Sequence, residues 1–297
     1  MDDSQPRPSD DDLLGAVRRG DAGALEALVT RYEPRVYRFG LAMCRDAEDA
    51  HDVTQDTFMS MVRGIQGFRA ESTVSTWLYA ITRHACLKKR RRPKSAPHGE
   101  SSLESLTAGE RGTLRAATPS PEDTLVAQER RTLLRTAIQS LDPSPREVLM
   151  LRDVEGLTAS DTARVLGLSV AAVKSRLHRA RLAVRSALEP VLGAGPPNHD
   201  GPCRNVLTHL STHLEGDLAP DTCAQLEAHV ATCPQCQAAC ESLKGVLALC
   251  RDESLPVVPA STQRAVRHAI RACLAEHATS SPSRARSDRA SRHESDR

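Results

Sequence analysis

The chain has 297 residues, a net charge of +2 at pH 7, 39% hydrophobic residues and only 2% aromatics; that length suits two or three small domains. No apolar stretch approaches the roughly 20 residues of a membrane span, and the acidic opening MDDSQPRPSDDD is unlike a secretory leader. The expectation is a cytoplasmic protein without membrane association, and the dominance of Leu, Ala and Val over aromatics favours an all-α fold.

The small net charge conceals segregation. Arg83–Lys94 holds seven Lys/Arg and no acid, and Val170–Arg185 holds five and none. Such blocks attract phosphate far more strongly than the average charge suggests.

In chain order, residues 11–95 read as helix throughout, with Gly20-Asp21 punctuating the first pair. Leu25, Leu28, Val29 and Tyr32 then follow helical spacing, and Val53, Met61, Val62 and Ile65 mark the buried face of the next helix. Asp49, Asp52 and Asp56 form an acidic stripe elsewhere on that helix, by itself an ordinary solvated face. The following helix carries the only tryptophan, Trp77, and runs into the basic TRHACLKKRRRPK. Trp77, Tyr79 and the loop around Phe68 suit stacking on unpaired bases beside cationic phosphate contacts, and equally suit core packing. Periodicity lapses over residues 93–123, rich in Pro, Ser, Thr and Gly, which read as a flexible linker.

Residues 124–190 are again periodic, and LTASDTARVLGLSVAAVKSRLHRARLAV has the layout of a helix-turn-helix. Small Ala163 lets two helices cross closely, Gly167 suits a left-handed turn, and Ser169 is a good N-cap. Val173 anchors the second helix inward. That leaves Lys174, Ser175, Arg176, His178 and Arg179 on or near the exposed side, where they can reach base edges and phosphates in a major groove.

A GAGPPNHDGP break precedes a Cys-rich domain at 200–251, and residues 252–297 read as a short helix and a disordered Ser/Arg-rich tail. Seven of the nine cysteines lie beyond residue 200, where a reducing compartment favours metal ligation over disulfides. His229 and Cys233 share a helix face, and Cys236 follows within reach across the next turn. A tetrahedral zinc site needs a fourth ligand: Cys203 is the best candidate, with Cys223, His209 and His213 as alternatives. Cys223, Cys240 and Cys250 are further candidates, and extra thiolates would favour copper, cadmium or zinc over oxygen-loving metals. Cys44 and Cys273 read as packing residues.

Several of these motifs together carry a resemblance. GDAGALEALVTRYEPRVYRFGL, AEDAHDVTQDTF and STWLYAITRHACLKKRRR resemble region 2 of extracytoplasmic-function (ECF) sigma factors, over residues 10–92. LDPSPREVLMLRDVEGLTASDTARVLGLSVAAVKSRLHRAR resembles their region 4, and CRNVLTHLSTHLEGDLAP…LEAHVATCPQC resembles the zinc-finger anti-sigma domain, with Leu214, Gly216 and Leu218 in its Leu-x-Gly-x-Leu turn. The fusion is similar in architecture to the CorE-like metal-dependent subgroup. The resemblance implies that Asp49, Asp52, Gln55 and Phe58 dock the β′ clamp helices of RNA polymerase core, which also contacts the factor through its β subunit. It implies that Trp77, Arg83, His84 and Lys88 serve the −10 element of promoter DNA, and that Lys174, Arg176, His178 and Arg179 serve the −35 element. Leu25, His51 and His84 depart from the usual Phe, acid and Asn, so the −10 sequence preference does not carry over.

The function expected is promoter-specific transcription initiation, controlled in cis by metal binding to the Cys-rich domain. The alternatives are a thiol switch in the same domain, or a helix-turn-helix regulator with a structural zinc. No nucleophile–base pair or phosphate-cradling Gly loop is evident, so neither an enzyme nor a small-molecule substrate is expected.

Overall fold

The structure is a computed structural model that describes residues 8–44, 46–91, 121–192, 203, 205–251 and 255–279. Among these residues the secondary structure is helical, without strands, as an all-α fold requires. Contacts divide the chain into two units: residues 1–86 with 255–297, and residues 87–254.

The first unit is built on α1 (Asp10–Arg18), α2 (Ala22–Cys44), α3 (Ala47–Gly64) and the start of α4 (Val74–Arg91). Local chemistry sets the boundaries. Ser9 and Asp12 form a reciprocal capping box on α1, Asp21 accepts from the Gly23 and Ala24 amides, and Asp46 caps α3 through the Glu48 and Asp49 amides. Gly20 turns the chain between α1 and α2 at φ +92°, where a side chain would be strained. The expected apolar positions Leu25, Leu28, Val29 and Tyr32 are buried together with Val53, Met61, Val62 and Ile65.

Local periodicity cannot foretell that this core is completed by a helix distant in the chain. Helix α12 (Ala260–Thr279) sends Val266, Ile270 and Cys273, spaced one turn apart, into the same core. It packs along α3, where Thr262 Oγ1 lies 2.9 Å from His51 Nδ1. Arg267 pairs with Glu26 at 2.8 Å and with the buried Glu33 at 3.1 Å. Burial raises the Glu33 carboxyl above its usual range, and Arg267 opposes that shift. The final segment, read as a separate element, is therefore part of the first unit's core; residues 280–297, expected to be disordered, lie outside the described residues.

The second unit contains α5 (Pro121–Ser140), α6 (Pro143–Leu149), a π-helical turn (Met150–Val154), α7 (Ala159–Leu166) and α8 (Val170–Leu192). The linker expected at 93–123 lies outside the described residues except at its end, where α5 begins. Arg146 is buried and donates to the Gln139 and Leu141 carbonyls at 2.8 and 2.5 Å, satisfying acceptors left at the end of α5. The helix-turn-helix forms as its sequence dictates. Thr158 caps α7, Gly167 adopts φ +66° and ψ +39°, Ser169 accepts from the Ala172 amide, and Val173 is fully buried.

Three helices complete this unit: α9 (Val206–Leu214), α10 (Pro220–Thr232) and α11 (Pro234–Arg251). They enclose a small core of Val206, Leu210, Leu226, Cys240 and Leu243, and both α9 and α11 pack against α8. Gly216 takes φ +73° in the Leu214–Leu218 turn that links α9 to α10.

Candidate functional site

Four side chains converge at one corner of the small three-helix core. Cys203 precedes α9, His229 lies on the last turn of α10, Cys233 is the residue that ends α10, and Cys236 lies in the first turn of α11. Their ligand atoms all lie within 4.8 Å of one another. Cys203 Sγ is 3.5 Å from His229 Nε2 and 3.9 Å from Cys233 Sγ, and His229 Nε2 is 3.2 Å from Cys236 Sγ. A tetrahedral zinc ion with Zn–S of about 2.3 Å and Zn–N of about 2.0 Å spans edges of about 3.8 Å between sulfurs and about 3.5 Å from sulfur to nitrogen. The donor set therefore fits a tetrahedral metal, with Cys203 as the fourth ligand.

Without a cation the thiols are electrostatically uncomfortable. Burial, followed by the neighbouring Cys203 and Cys233 thiols, pushes Cys236 up to about 12, whereas the Cys236 backbone amide pulls Cys233 down. A bound divalent ion would drive the remaining thiol protons off, so binding and proton release are linked. With three thiolates and an imidazole the coordination sphere is complete, as in sites that staple a fold rather than catalyse.

Of the further cysteine candidates, the structure brings none into this cluster. Cys240 follows Cys236 by one turn but lies in the core beside Leu243, and Cys250 is also buried. Cys223 instead lies beside His213. Cys44, read as an isolated packing residue, has its Sγ 3.4 Å from that of Cys86.

The recognition helix α8 presents Ser175 and Arg179 to solvent, while Lys174, Arg176 and His178 are half-buried. The Cys-rich domain takes up part of that surface. Lys174 pairs with Asp217, and His178 Nε2 lies 3.4 Å from Thr208 Oγ1. Below them Arg181, buried on α8, donates to both Asp153 oxygens at 2.8 and 2.6 Å and to Glu215 at 2.9 Å. Glu215 also accepts from Arg152 at 2.6 Å. The π-helical turn, which carries both Arg152 and Asp153, thus supplies one half of a charge network whose other half is the turn after α9. Burial disfavours the Arg181 charge, but Asp153 and then Glu215 more than offset this and hold the guanidinium protonated. Burial also lowers the His178 imidazole, helped by Arg181 and Arg179, which leaves it neutral near pH 7.

The sequence reading missed Glu215, Asp217, Thr208, Arg152 and Asp153. Its one usable signal was the acidic pair in His213-Leu-Glu-Gly-Asp, since acids facing a basic helix are natural partners.

On α4, His84 and Lys88 are exposed and Arg83 is half-buried. Trp77 stacks on Phe68 with ring centroids 4.6 Å apart and planes 22° from parallel, and its indole closes on Gly64, where a Cβ would meet it at 3.0 Å. On α3, Asp49, Asp52 and Gln55 are partly exposed, but Phe58 is wholly buried among Leu28, Met61 and Leu78. Phe58 therefore supports the helix from within instead of presenting a contact on its surface.

Three family models match the chain in the expected order. "Sigma-70 region 2" matches residues 28–95, "Sigma-70, region 4" residues 131–184, and "Putative zinc-finger" residues 203–237. The RNA polymerase sigma-H factor of Pseudomonas aeruginosa is 33% identical over 187 residues, which cover 95% of that protein and 62% of this chain. The chain belongs to the ECF sigma factors of the sigma-70 family. The ECF RNA polymerase sigma-E factor of Escherichia coli K12 is 29% identical over 188 residues, covering 96% of its length and again 62% of this sigma factor. A solved structure of CnrH in complex with the cytosolic domain of CnrY is similar at 23% identity and a TM-score of 0.44, over 61% of this sigma factor and 97% of that chain. Family membership makes this a non-enzymatic initiation factor that joins RNA polymerase core to promoter DNA. No helix among the described residues is long and apolar enough to cross a membrane.

Proposed function

We propose that this sigma factor works in the cytosol and that metal binding to its Cys-rich domain controls, in cis, its access to the promoter. The observation that carries the reading is the grip of the α9–α10 turn on α8: Asp217 holds Lys174 and Glu215 holds Arg181, on the helix assigned to the −35 element. Zinc held by Cys203, His229, Cys233 and Cys236 is the resident metal, with copper or cadmium as candidate regulatory ions. Region 4 reads the −35 element through Lys174, Ser175, Arg176, His178 and Arg179, with Lys174 and His178 engaged by the domain's own residues until it moves. Region 2 serves the −10 element through Arg83, His84 and Lys88, with the Trp77–Phe68 stack as its aromatic platform. Asp49, Asp52 and Gln55 on α3 meet the polymerase clamp, on a helix along which α12 also packs.

Metal controls initiation only if the docked and released arrangements bind it differently. Run-off transcription with the full chain and core polymerase, titrated with Zn(II), Cd(II), Cu(II) and Cu(I), tests this. Switching by one metal in wild type, and loss of that response in C233A and C236A, is expected. An unchanged response in both variants would remove the idea.

A thiol switch is the second reading, placed here outside the Cys-rich domain: Cys44 Sγ, at the end of α2, lies 3.4 Å from Cys86 Sγ on α4. An oxidant series run alongside the metal titration separates the two, because C44S abolishes only the oxidant response.

A further inference from the structure

The aromatic pair beside α4 is held by a residue that the promoter assignments above do not use. Phe68 lies in the loop between α3 and α4, Trp77 on the first turn of α4, and both rings are half-buried against the first unit's core. Arg18, on the last turn of α1, reaches across to that loop. Its Nε donates to the Ile65 carbonyl at 3.3 Å and its Nη2 to the Phe68 carbonyl. Ile65 ends α3, so one guanidinium satisfies an acceptor left at that helix end and also fixes the backbone at Phe68. The base it works from is firm, because Leu13, Leu14 and Val17 of α1 are buried in the same core.

The loop needs such a hold. Ala70 stands at φ +55°, a conformation that a residue with a Cβ keeps only when its surroundings impose it. Beyond it, Thr73 Oγ1 accepts from the Thr76 amide at 3.2 Å and so fixes the start of α4. Arg18 pins one side of the strained residue and Thr73 the other.

We propose that Arg18 is a positioning residue for promoter opening: by holding the α3–α4 loop it keeps Phe68 stacked on Trp77, as a platform for a −10 base leaving the duplex. This rests on the −10 role proposed for region 2. A pair ordered beforehand receives an unpaired base without the entropy loss of ordering two side chains at the moment of opening. The task suits arginine, whose fork spans two carbonyls at once; a lysine ammonium keeps the charge but acts as a single point.

Trp77 is the chain's only tryptophan, so its fluorescence reports on the stack alone. In the full chain, R18A should make Trp77 more open to acrylamide quenching, with R18K between R18A and wild type. Run-off transcription with core polymerase, on a promoter fragment that wild type transcribes and on the same fragment with a mismatched −10 bubble, reads the function. W77A should lose about 5–150-fold on the duplex, the worth of one stacked base. R18A should lose a large part of that and R18K less, and the bubble should restore R18A. Arg18 is exposed, so R18A should keep a urea midpoint near that of wild type; if it does not, R18K carries the test. Wild-type quenching in R18A, or equal losses on duplex and bubble, overturns the positioning role. A loss in W77A with R18A fully active does the same and leaves the −10 reading standing. A W77A that opens the duplex like wild type would sink the platform, and the proposal with it.

Discussion

Replacing Glu215 by alanine removes the acid that joins the Cys-rich domain to region 4. Its side chain is 5% exposed and takes two charge-assisted hydrogen bonds, from Arg152 at 2.6 Å and Arg181 at 2.9 Å. Removing one partner of a buried pair costs about 3–5 kcal/mol when the other charge is left bare. Here Arg181 keeps both oxygens of Asp153 and Arg152 keeps the Leu157 carbonyl, so the lower end, about 3 kcal/mol, is the appropriate figure. At about 1.4 kcal/mol per decade, the docked arrangement loses roughly 100-fold in population relative to the released one. Fluorescence anisotropy with a labelled −35 duplex, at fixed salt and with zinc-loaded full chain, should show E215A binding up to about 100-fold tighter. E215Q keeps one acceptor and should fall between. E241A removes a carboxylate from an exposed pair with Lys244, and controls for the change in net charge. Equal affinity for E215A and wild type, at equal zinc content and helicity, would refute the claim that this contact masks α8.

Acidification should weaken the second unit in the range just below the ordinary imidazole value of about 6.5. His178 is depressed in the folded state, so unfolding takes up a proton there; the contribution is intact above that value and fades as pH falls through the folded one, and H178Q should flatten a urea-stability profile over this window. Ile270→Ala should cost the first unit about 2–5 kcal/mol in chemical denaturation, and, if α12 guards α3, should raise core-polymerase affinity. A fall in that affinity would make α12 a scaffold. Gly167→Ala places a Cβ at φ +66° and should destabilise region 4 by about 1–2 kcal/mol, read from its urea midpoint. Stripping the metal with a chelator should reduce the helical circular dichroism of residues 203–251 and restore it on Zn²⁺ addition, with C233A insensitive to both.

What was legible in the sequence was local. The Gly167 turn, the Ser169 cap, the inward Val173 and the His229–Cys233–Cys236 spacing depend on residues within a few positions of each other, where backbone geometry leaves little choice. Cys203 could be ranked above its rivals but not separated from them, because closing the loop from Cys203 to His229 depends on how α9 packs on α10. Phe58 entered as a polymerase contact through the family resemblance alone, yet it falls on the same buried face as Met61 and Val62. Periodicity says which face of a helix is apolar and leaves its partner unnamed. That is why α12 could be foreseen as a helix but not as a member of the first unit. It is also why Glu215 and Asp217 could be seen as acids but not as the partners of α8.

The place of α12 in the first unit has a consequence for biosynthesis. Thr262, which meets His51, is made 211 residues after it. At a synthesis rate of about 5–20 residues per second, α3 spends about 10–40 s outside the ribosome before α12 can cover it. During that interval the apolar positions awaiting Val266 and Ile270 are open to solvent, chaperones and polymerase alike. A newborn chain and a finished one therefore differ in what α3 can reach, and translation itself becomes a clock for the closure of region 2.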